Sequence, residues 1–299
     1  MKSLLIKVCV LLVIVGVTGC KEKAQQIGAG HMFSCAVHQG SVSCWGRYIY
    51  DSSGLGGPEV ARVVSKQKFV DPTLAVGGNH YCVLDEATVQ CFLSNEEGQT
   101  DVPQLNNPRE LAAGSDFSCV LDESGLVCWG NAPWLTDLPD NLVNPRNLVA
   151  GSSHICLRDD NGTHCTGYTP IGSADPSPPE DFSSHTLLTG SPMALHICGL
   201  QDVWKCWADY SIYETPENLQ NIDIVVPGYA QACAIADGQV VCWGDGSYDP
   251  INVDPPDNIT NPSQLAVGVY HACVIADEGV KCWGDLSDPF PAIEVPPYL

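Results

Sequence analysis

Basic residues are scarce in this sequence. Its 299 residues include 13 Lys and Arg against 35 Asp and Glu, which gives a formal net charge of −22. A chain this acidic repels nucleic acid and anionic lipid surfaces, so we expect no nucleic-acid partner and favour a cationic one. The alternative is that the negative charge serves only the solubility of a secreted protein.

Sequence motifs that carry catalysis are also missing. The chain has no Gly-x-Ser-x-Gly nucleophile elbow, no His-Glu-x-x-His zinc motif and no phosphate-binding loop. No acid–base pair stands out among its many scattered carboxylates, which leaves no candidate for a catalytic constellation. We therefore expect a protein that is not an enzyme and has no catalytic residues, no cofactor and no metal.

Amphipathic helical patterns are lacking as well. The apolar runs are short, rich in Val, Ile, Leu and Trp, and separated by Gly, Pro, Asn and Asp, as is typical of strands. A pattern of Gly and two Cys recurs seven times, with a closing Trp-Gly in four of the copies, and the 280 residues from 20 to 299 divide into repeats of 40. Four short strands in each repeat predict an all-β fold, a seven-bladed β-propeller of four-stranded antiparallel blades.

The repeat is clearest in residues 265–284. Cys273 leads into the turn residues Asp277 to Gly279 and Cys282 leads out, so the two Cys face each other across a short hairpin. Directly opposed residues of an antiparallel pair are close enough for a disulfide. Six pairs have eight intervening residues and the fifth has seven. This spacing predicts one disulfide in each blade and an oxidising compartment: Cys35–Cys44, Cys82–Cys91, Cys119–Cys128, Cys156–Cys165, Cys198–Cys206, Cys233–Cys242 and Cys273–Cys282.

The N-terminus has the features of a lipoprotein signal peptide, residues 1–19. It contains two Lys, an apolar run too short for a membrane span, and small residues at its end. Val17-Thr18-Gly19-Cys20 resembles a bacterial lipobox, which implies lipidation of Cys20 by groups such as palmitate. Residues 20–26 would then form a tether to a single propeller domain at 27–299. The alternative is ordinary cleavage that leaves Cys20 free.

Lys21 follows the expected lipidation site. In lipoproteins of double-membraned bacteria an acidic residue at this position is the inner-membrane retention signal. The resemblance therefore implies a lipid anchor in the cell envelope, at the outer rather than the inner membrane.

The last residues are similar to the connections between repeats. Glu294-Val295-Pro296-Pro297-Tyr298-Leu299 matches segments such as 101–105, which precede a new repeat, whereas the first repeat begins without such a segment. We expect these C-terminal residues to form the missing outer strand of the first blade and to close the ring.

The repeats resemble those of the regulator of chromosome condensation family, most of all its bacterial secreted members. The resemblance rests on Gly-x-x-His openings at His80, His154 and His271 and on Cys-Trp-Gly closes at Trp45, Trp129, Trp243 and Trp283. It covers nearly all of the chain after the signal peptide and implies a seven-bladed β-propeller. Members that exchange nucleotide on a small GTPase, dock on chromatin or inhibit β-lactamases share this scaffold, but a fold does not carry function.

Two local patterns resemble metal sites. His-x-Cys recurs, but the Cys have partners and Phe replaces the His at 33 and 117, so we expect a structural His that is hydrogen-bonded within each blade. Asp159-Asp160-Asn161-Gly162 and Asp277-Glu278-Gly279 are similar to short calcium loops but lack the ligand spacing of an EF-hand. We interpret both as hairpin turns.

Aromatic residues follow the Cys-Trp-Gly position in six of the seven repeats. Equivalent loops of a propeller emerge on one rim, so these rings, with neighbouring Asp residues, predict an acidic aromatic collar that binds a partner. The alternative is that each ring packs into its own blade or against the next. The candidate rim residues are Tyr48, Tyr50, Trp134, Tyr168, Tyr210, Tyr213, Tyr248 and Phe290.

These observations predict a monomeric, lipid-anchored envelope protein that acts as a propeller scaffold for a protein or peptide. Two alternatives stay open: an inhibitor of a secreted or periplasmic enzyme, and a glycan-binding surface adhesin. A tight one-to-one complex with loss of an enzyme's activity would indicate the first, and binding on a glycan array the second.

Overall fold

The computed structural model is built of β-strands. Its described residues hold no helix with the length and hydropathy needed to cross a membrane. The structure describes residues 24–46, 61–65 (61–64 as backbone), 67–133, 138, 141–168, 176–179, 187–207, 215–229, 231–244, 254–284 and 294–299. Within these ranges the strands form seven antiparallel sheets, one for each repeat.

The strands follow chain order within each sheet. In the first four sheets they are β1 Gln26–Ala29, β2 Phe33–His38, β3 Ser41–Gly46 and β4 Ala61–Val64; β5 Thr73–Val76, β6 His80–Asp85 and β7 Thr88–Leu93; β8 Glu110–Ala113, β9 Phe117–Asp122 and β10 Gly125–Gly130; β11 Arg146–Ala150, β12 His154–Arg158 and β13 Thr163–Gly167. In the last three they are β14 Leu187–Thr189, β15 Ile197–Leu200 and β16 Trp204–Trp207; β17 Ile222–Pro227, β18 Gln231–Ala236 and β19 Gln239–Gly244; β20 Gln264–Val267, β21 His271–Ala276 and β22 Gly279–Gly284.

A disulfide crosses the hairpin of every sheet, as the Cys spacing predicts. Each pair occupies directly opposed positions of the second and third strands, for example Cys35 opposite Cys44 and Cys198 opposite Cys206. The Cα atoms of the seven pairs lie 3.9–4.1 Å apart. The seven predicted pairings are confirmed.

The expected fourth strand is found in the first sheet only, because the other six sheets have three strands within the described residues. The connection from β7 to β8, residues 94–109, is described throughout and forms no strand. Pro103 has no N–H to donate to a ladder. The carbonyl oxygen of Gln99 instead accepts the indole N–H of Trp129 at 2.9 Å and the hydroxyl of Ser118 at 3.2 Å. The prediction of a four-stranded blade is therefore wrong for the second sheet, which consists of β5, β6 and β7.

The C-terminal segment does not form the outer strand of the first sheet. That edge is taken by β4, which pairs with β3. Residues 294–299 form no strand, and the adjacent Pro296 and Pro297 lack the donors that a strand requires. Leu299 instead packs between the seventh and first sheets, where its carbonyl accepts the N–H of Val280 at 3.3 Å. The prediction that a C-terminal strand closes the ring on the first sheet is therefore wrong.

Buried side chains form seven clusters. Six lie between successive sheets and the seventh lies between the last sheet and the first. The closing Trp of one sheet covers the hairpin and disulfide of the sheet before it: Trp129 packs on Cys82 and Trp45 on Cys273. The first strands also contact one another in sequence, and β20 contacts β1. The core therefore lies at the junctions between sheets.

Asn residues fix the chain where it enters a new sheet. Four of them have positive φ, between 46° and 52°, which Asn tolerates better than most residues. Each side-chain amide donates to a carboxylate sixteen residues later, in the hairpin turn of the same sheet. The pairs are Asn107–Glu123, Asn144–Asp160, Asn221–Asp237 and Asn261–Asp277.

Candidate binding face at the mouth of the central channel

The first strands of all seven sheets surround one central channel. Its cavity has a volume of about 210 Å³ and is lined mostly by small apolar residues, among them Ala29, Ala75, Ala112, Ala150, Val226 and Ala266. Small side chains bring seven strands close together, so little room is left for a ligand. The channel itself is therefore a poor candidate for a large binding site.

The fifth sheet partly covers one end of this channel. Its loop between the first and second strands is longer than the others, because Gly190 precedes Cys198 by eight residues rather than five. In the structure Ser191 and Pro192 are buried and line the channel. The hydroxyl of Ser191 donates to the carbonyl of Val267 in the seventh sheet at 2.6 Å. The extra residues thus connect two sheets that are not neighbours.

We call the loops between the first and second strands the mouth loops, because they surround this end of the channel. Backbone hydrogen bonds link them from one sheet to the next around five sheets. The bonds run from the N–H of His31 to the carbonyl of Gly78, from Gly78 to Ser115, from Ser115 to Ser152 and from Ser152 to Ala194, at 2.8–3.1 Å. These bonds hold five of the seven mouth loops in fixed positions, as a preorganised binding surface requires.

Two aromatic rings meet where the first and seventh sheets join at the mouth. The rings of His31 and Tyr270 are stacked with centroids 5.7 Å apart, and both residues are partly exposed. Burial lowers the pKa of His31, and the negative charge of Asp116 on another mouth loop offsets part of that shift. The mouth therefore combines a neutral aromatic pair with a carboxylate, which suits an amphipathic or cationic group.

Tyr168 is the one predicted rim residue that falls within the described ranges. It follows β13, its side chain is 51% exposed, and its N–H donates to the carbonyl of Ser153 in a mouth loop at 3.0 Å. The segments after β7 and β10 reach the mouth loops in the same way, since Ser94 bonds to Asn79 and Asn131 to Asp116. The third strands therefore end on the face that carries the mouth loops. Cys20 and the other predicted rim residues, Tyr48, Tyr50, Trp134, Tyr210, Tyr213, Tyr248 and Phe290, lie outside the described residues.

The repeated His residues bond between sheets, not within a blade as the sequence suggested. The Nε2 atom of His80 lies 2.8 Å from the hydroxyl of Ser118 in the next sheet, and that of His271 lies 2.7 Å from Ser34. The reason is geometric: the ring points across the junction, where it meets the residue just before the next sheet's first Cys. Where that residue is apolar, the bond is lost, as at His154.

A zinc site is not formed by these residues. His196, Cys198 and Cys206 place their ligand atoms within 4.8 Å of one another. The two sulfur atoms are bonded to each other, however, and so offer no thiolate to a metal. The turn at Asp159 is likewise engaged, because this carboxylate accepts the N–H groups of Asn161 and Gly162 at 2.7 and 2.9 Å.

In five of the seven sheets the Gly that opens the mouth loop lies against the ring three residues later, which leaves no room for a Cβ atom. A Cβ atom at Gly77 would lie 2.1 Å from the ring of His80 and 2.8 Å from the carbonyl oxygen of Gly114. We expect Gly77→Ala to lower the free energy of unfolding by about 1–3 kcal/mol, because such overpacking displaces the ring and its bond to Ser118. Urea denaturation measures this loss. Gly162→Ala is the matched control, since nothing lies within 4 Å of its Cβ position. Equal stabilities of the two variants would contradict the prediction.

No protein-family model matches the sequence, and no match to a characterised protein was found. Solved structures do resemble the fold. The ectodomain of the receptor kinase CR4 from Physcomitrella patens is 19% identical, with a TM-score of 0.61 over 88% of this chain and 74% of that one. The CRINKLY WD40 ectodomain of the Arabidopsis thaliana receptor kinase ACR4 is 22% identical, with a TM-score of 0.55 over 74% of this chain and 83% of that one.

The structural neighbours also include Prp20p of Saccharomyces cerevisiae, the yeast RCC1. It is 17% identical, with a TM-score of 0.44 over 89% of this chain and 70% of that one. At identities below 25% such similarities concern the fold, and the CR4 and ACR4 matches identify it as a β-propeller.

Proposed function

We propose that the chain is a non-catalytic scaffold that binds a protein or peptide through the face that carries the mouth loops. The observation that supports this most is the preorganised mouth, where a hydrogen-bonded series of loops carries His31 and Asp116 and the ring of Tyr270 stacks on that of His31. Tyr168 adds an exposed ring on the same face. Aromatic rings on a rigid frame are favoured anchors of protein interfaces.

The proposed location is the bacterial cell envelope, with a lipid on Cys20 as the anchor. The seven disulfides support an oxidising compartment, because such bonds are rarely kept in a reducing cytosol. The lipobox-like Val17-Thr18-Gly19-Cys20 supports the anchor, and Lys21 supports sorting to the outer membrane. The propeller would then be held close to the membrane by the short segment before β1.

Affinity capture with the propeller tests the binding role. The protein from residue 21 onward, fixed to a resin, is expected to retain a partner from envelope extract. The triple variant His31→Ala, Tyr168→Ala, Tyr270→Ala should retain at least tenfold less, because it removes the aromatic anchors of the mouth. Its melting temperature should change by only a few degrees, since all three side chains are partly or largely exposed.

One control variant and the possible outcomes decide how the capture is interpreted. Val70→Ala should capture as the unchanged protein does, because this side chain is 79% exposed and its N–H bonds to Asp85 at the hairpin-turn end of the second sheet, away from the mouth loops. A triple variant that unfolds, or one that captures normally, would contradict the proposal. An enzyme among the captured proteins that loses activity on binding would instead indicate an inhibitor.

A further inference from the structure

The fifth sheet departs from the repeat at its hairpin turn. Its hairpin has seven residues between the Cys where the other six have eight. Two residues before the second Cys it carries Trp204, where the other sheets have Val, Leu or Thr. A propeller scaffold requires neither change, since six sheets fold without them. Both changes fall at the end of the strands opposite to the mouth loops.

A groove lies beside this hairpin, between it and the connection to the sixth sheet. It has a volume of about 490 Å³, within the range of about 300–1,000 Å³ that is usual for ligand sites. Leu200 and Trp204 line one side, and Leu219 and Ile222 line the other. Val203, which is 60% exposed, lies at its edge. Thr215 and Asn221 also line it, so the groove combines apolar and polar surface and is open to solvent.

All charged residues that line the groove are acidic. Asp202 and Glu217 both line it and are exposed, and no Lys or Arg does. Lys205 follows Trp204 in β16, so strand alternation directs it to the other face of the sheet. From residue 159 to the end, the chain has 2 Lys and Arg against 20 Asp and Glu, so −18 of its net charge of −22 lies in this part. An anionic occupant would meet repulsion here.

We propose that this groove is a second binding site, which takes an apolar side chain of a partner peptide whose flanking residues are Lys or Arg. The apolar side chain enters between Trp204 and Leu219, and the basic residues lie against Asp202 and Glu217. The site is separate from the mouth loops, because the turn of a hairpin and the ends of its strands lie at opposite ends of the sheet.

Binding of synthetic peptides tests this site directly. The probe is a fluorescein-labelled Gly-Lys-Phe-Lys-Gly peptide, titrated with the propeller at low salt and followed by fluorescence anisotropy. Two matched peptides replace Phe by Ser or both Lys by Glu. We expect each replacement to weaken binding at least tenfold, and we expect binding of the first peptide to weaken as salt is added.

Protein variants then locate the binding. Asp202→Asn with Glu217→Gln should weaken binding of the Lys-Phe-Lys peptide at least tenfold. Asp254→Asn with Asp257→Asn is the control, since it makes the same charge change at exposed positions of the next connection and should alter binding less than twofold. The triple variant at the mouth should bind the peptide unchanged, so failure of the mouth proposal and failure of this one are distinguishable.

Three results would overturn the proposal. One is the absence of binding up to millimolar peptide. Another is equal binding of the Phe and Ser peptides, since the groove would then take no apolar side chain. The third is an equal loss from the two pairs of charge variants, which would mean diffuse attraction to an acidic surface. Retained melting temperatures of the exposed-carboxylate variants exclude unfolding as the cause of a loss.

Discussion

Acidification from pH 7 to about 4.5 is expected to remove most of the folding stability of this propeller. Burial lowers the pKa of His80, His154 and His271 to about 4 and that of His196 to about 3, from an ordinary value of 6.5. The rings are therefore neutral in the folded chain at pH 5, whereas the same residues of the unfolded chain are protonated. Protons then favour the unfolded state.

The sign and size follow from proton linkage. Above pH 6.5 neither state binds a proton at these rings, so their contribution is fully present there. Below pH 6.5 each His costs about 1.4 kcal/mol per pH unit until the folded pKa is reached, or about 3 kcal/mol in total. Four such residues together approach about 10 kcal/mol, which is comparable to the stability of a typical domain. Carboxylates with lowered pKa, such as Asp122, add to the loss only near pH 4 and below.

The variant His154→Phe isolates the effect of one titrating ring on the stability of the fold. Phe33 and Phe117 occupy the equivalent position in their own sheets. Phe117 packs in one cluster with Ile155 of the next sheet, and a Phe at position 154 would meet Ile197 in the same way. Neither ring nitrogen of His154 has a hydrogen-bond partner, so nothing is lost on replacement. The variant should be more stable than the unchanged protein by about 2 kcal/mol at pH 5 and should show a shallower pH dependence.

Urea denaturation at several pH values between 7.5 and 4.5 measures both effects. His80→Phe is the comparison, because it removes a titrating ring together with its bond to Ser118. It should be less stable than the unchanged protein at pH 7, and the difference in the free energy of unfolding should shrink as the pH falls. Stability that stays level between pH 7 and 4.5 would show that the rings do not remain neutral and buried.

The hairpins and their disulfides could be predicted from the sequence because they depend on local spacing. Eight residues between two Cys, with Asp or Gly at the centre, specify a register that sets Cys35 opposite Cys44. The hydrogen bonds from Asn side chains to acidic residues of the hairpin turns were missed, although a signal was present: Asn107 and Asn144 each have an acidic residue sixteen positions later. Periodicity within one repeat was sufficient for such contacts.

Contacts between repeats were not predictable in the same way. Whether His80 bonds depends on Ser118, which lies 38 residues further on and in another sheet. Nothing local distinguishes His80 from His154, yet only the first has a hydroxyl across the junction. The groove beside Trp204 likewise depends on how the connection to the sixth sheet packs against the hairpin of the fifth. The packing of one sheet against the next decides both the His hydrogen bonds and the groove.

Leu299→Ala is expected to destabilise the junction between the seventh and first sheets by about 2–5 kcal/mol. Leu299 is 7% exposed and packs among Ala24, Ile27, Trp45 and Val280. Truncation leaves a cavity in this cluster, and its neighbours are held by two separate sheets that cannot easily collapse into it. Thermal unfolding should shift down by several degrees.

The internal connections supply the control for this prediction. The N–H of Leu299 bonds to the carbonyl of Pro296 at 3.0 Å, and the N–H of Leu219 bonds to that of Pro216 at the same distance. Ile259 contributes to the cluster between the sixth and seventh sheets from a similar connection. If the C-terminal residues seal the last junction as a connection seals the others, then Ile259→Ala should also destabilise the protein, by less than Leu299→Ala because Ile259 is only partly buried. Removal of residues 294–299 should cost more than either, because it also exposes Trp45 and the edge of β22. A protein without residues 294–299 that melts like the unchanged protein would show that the seventh and first sheets are held together without this segment.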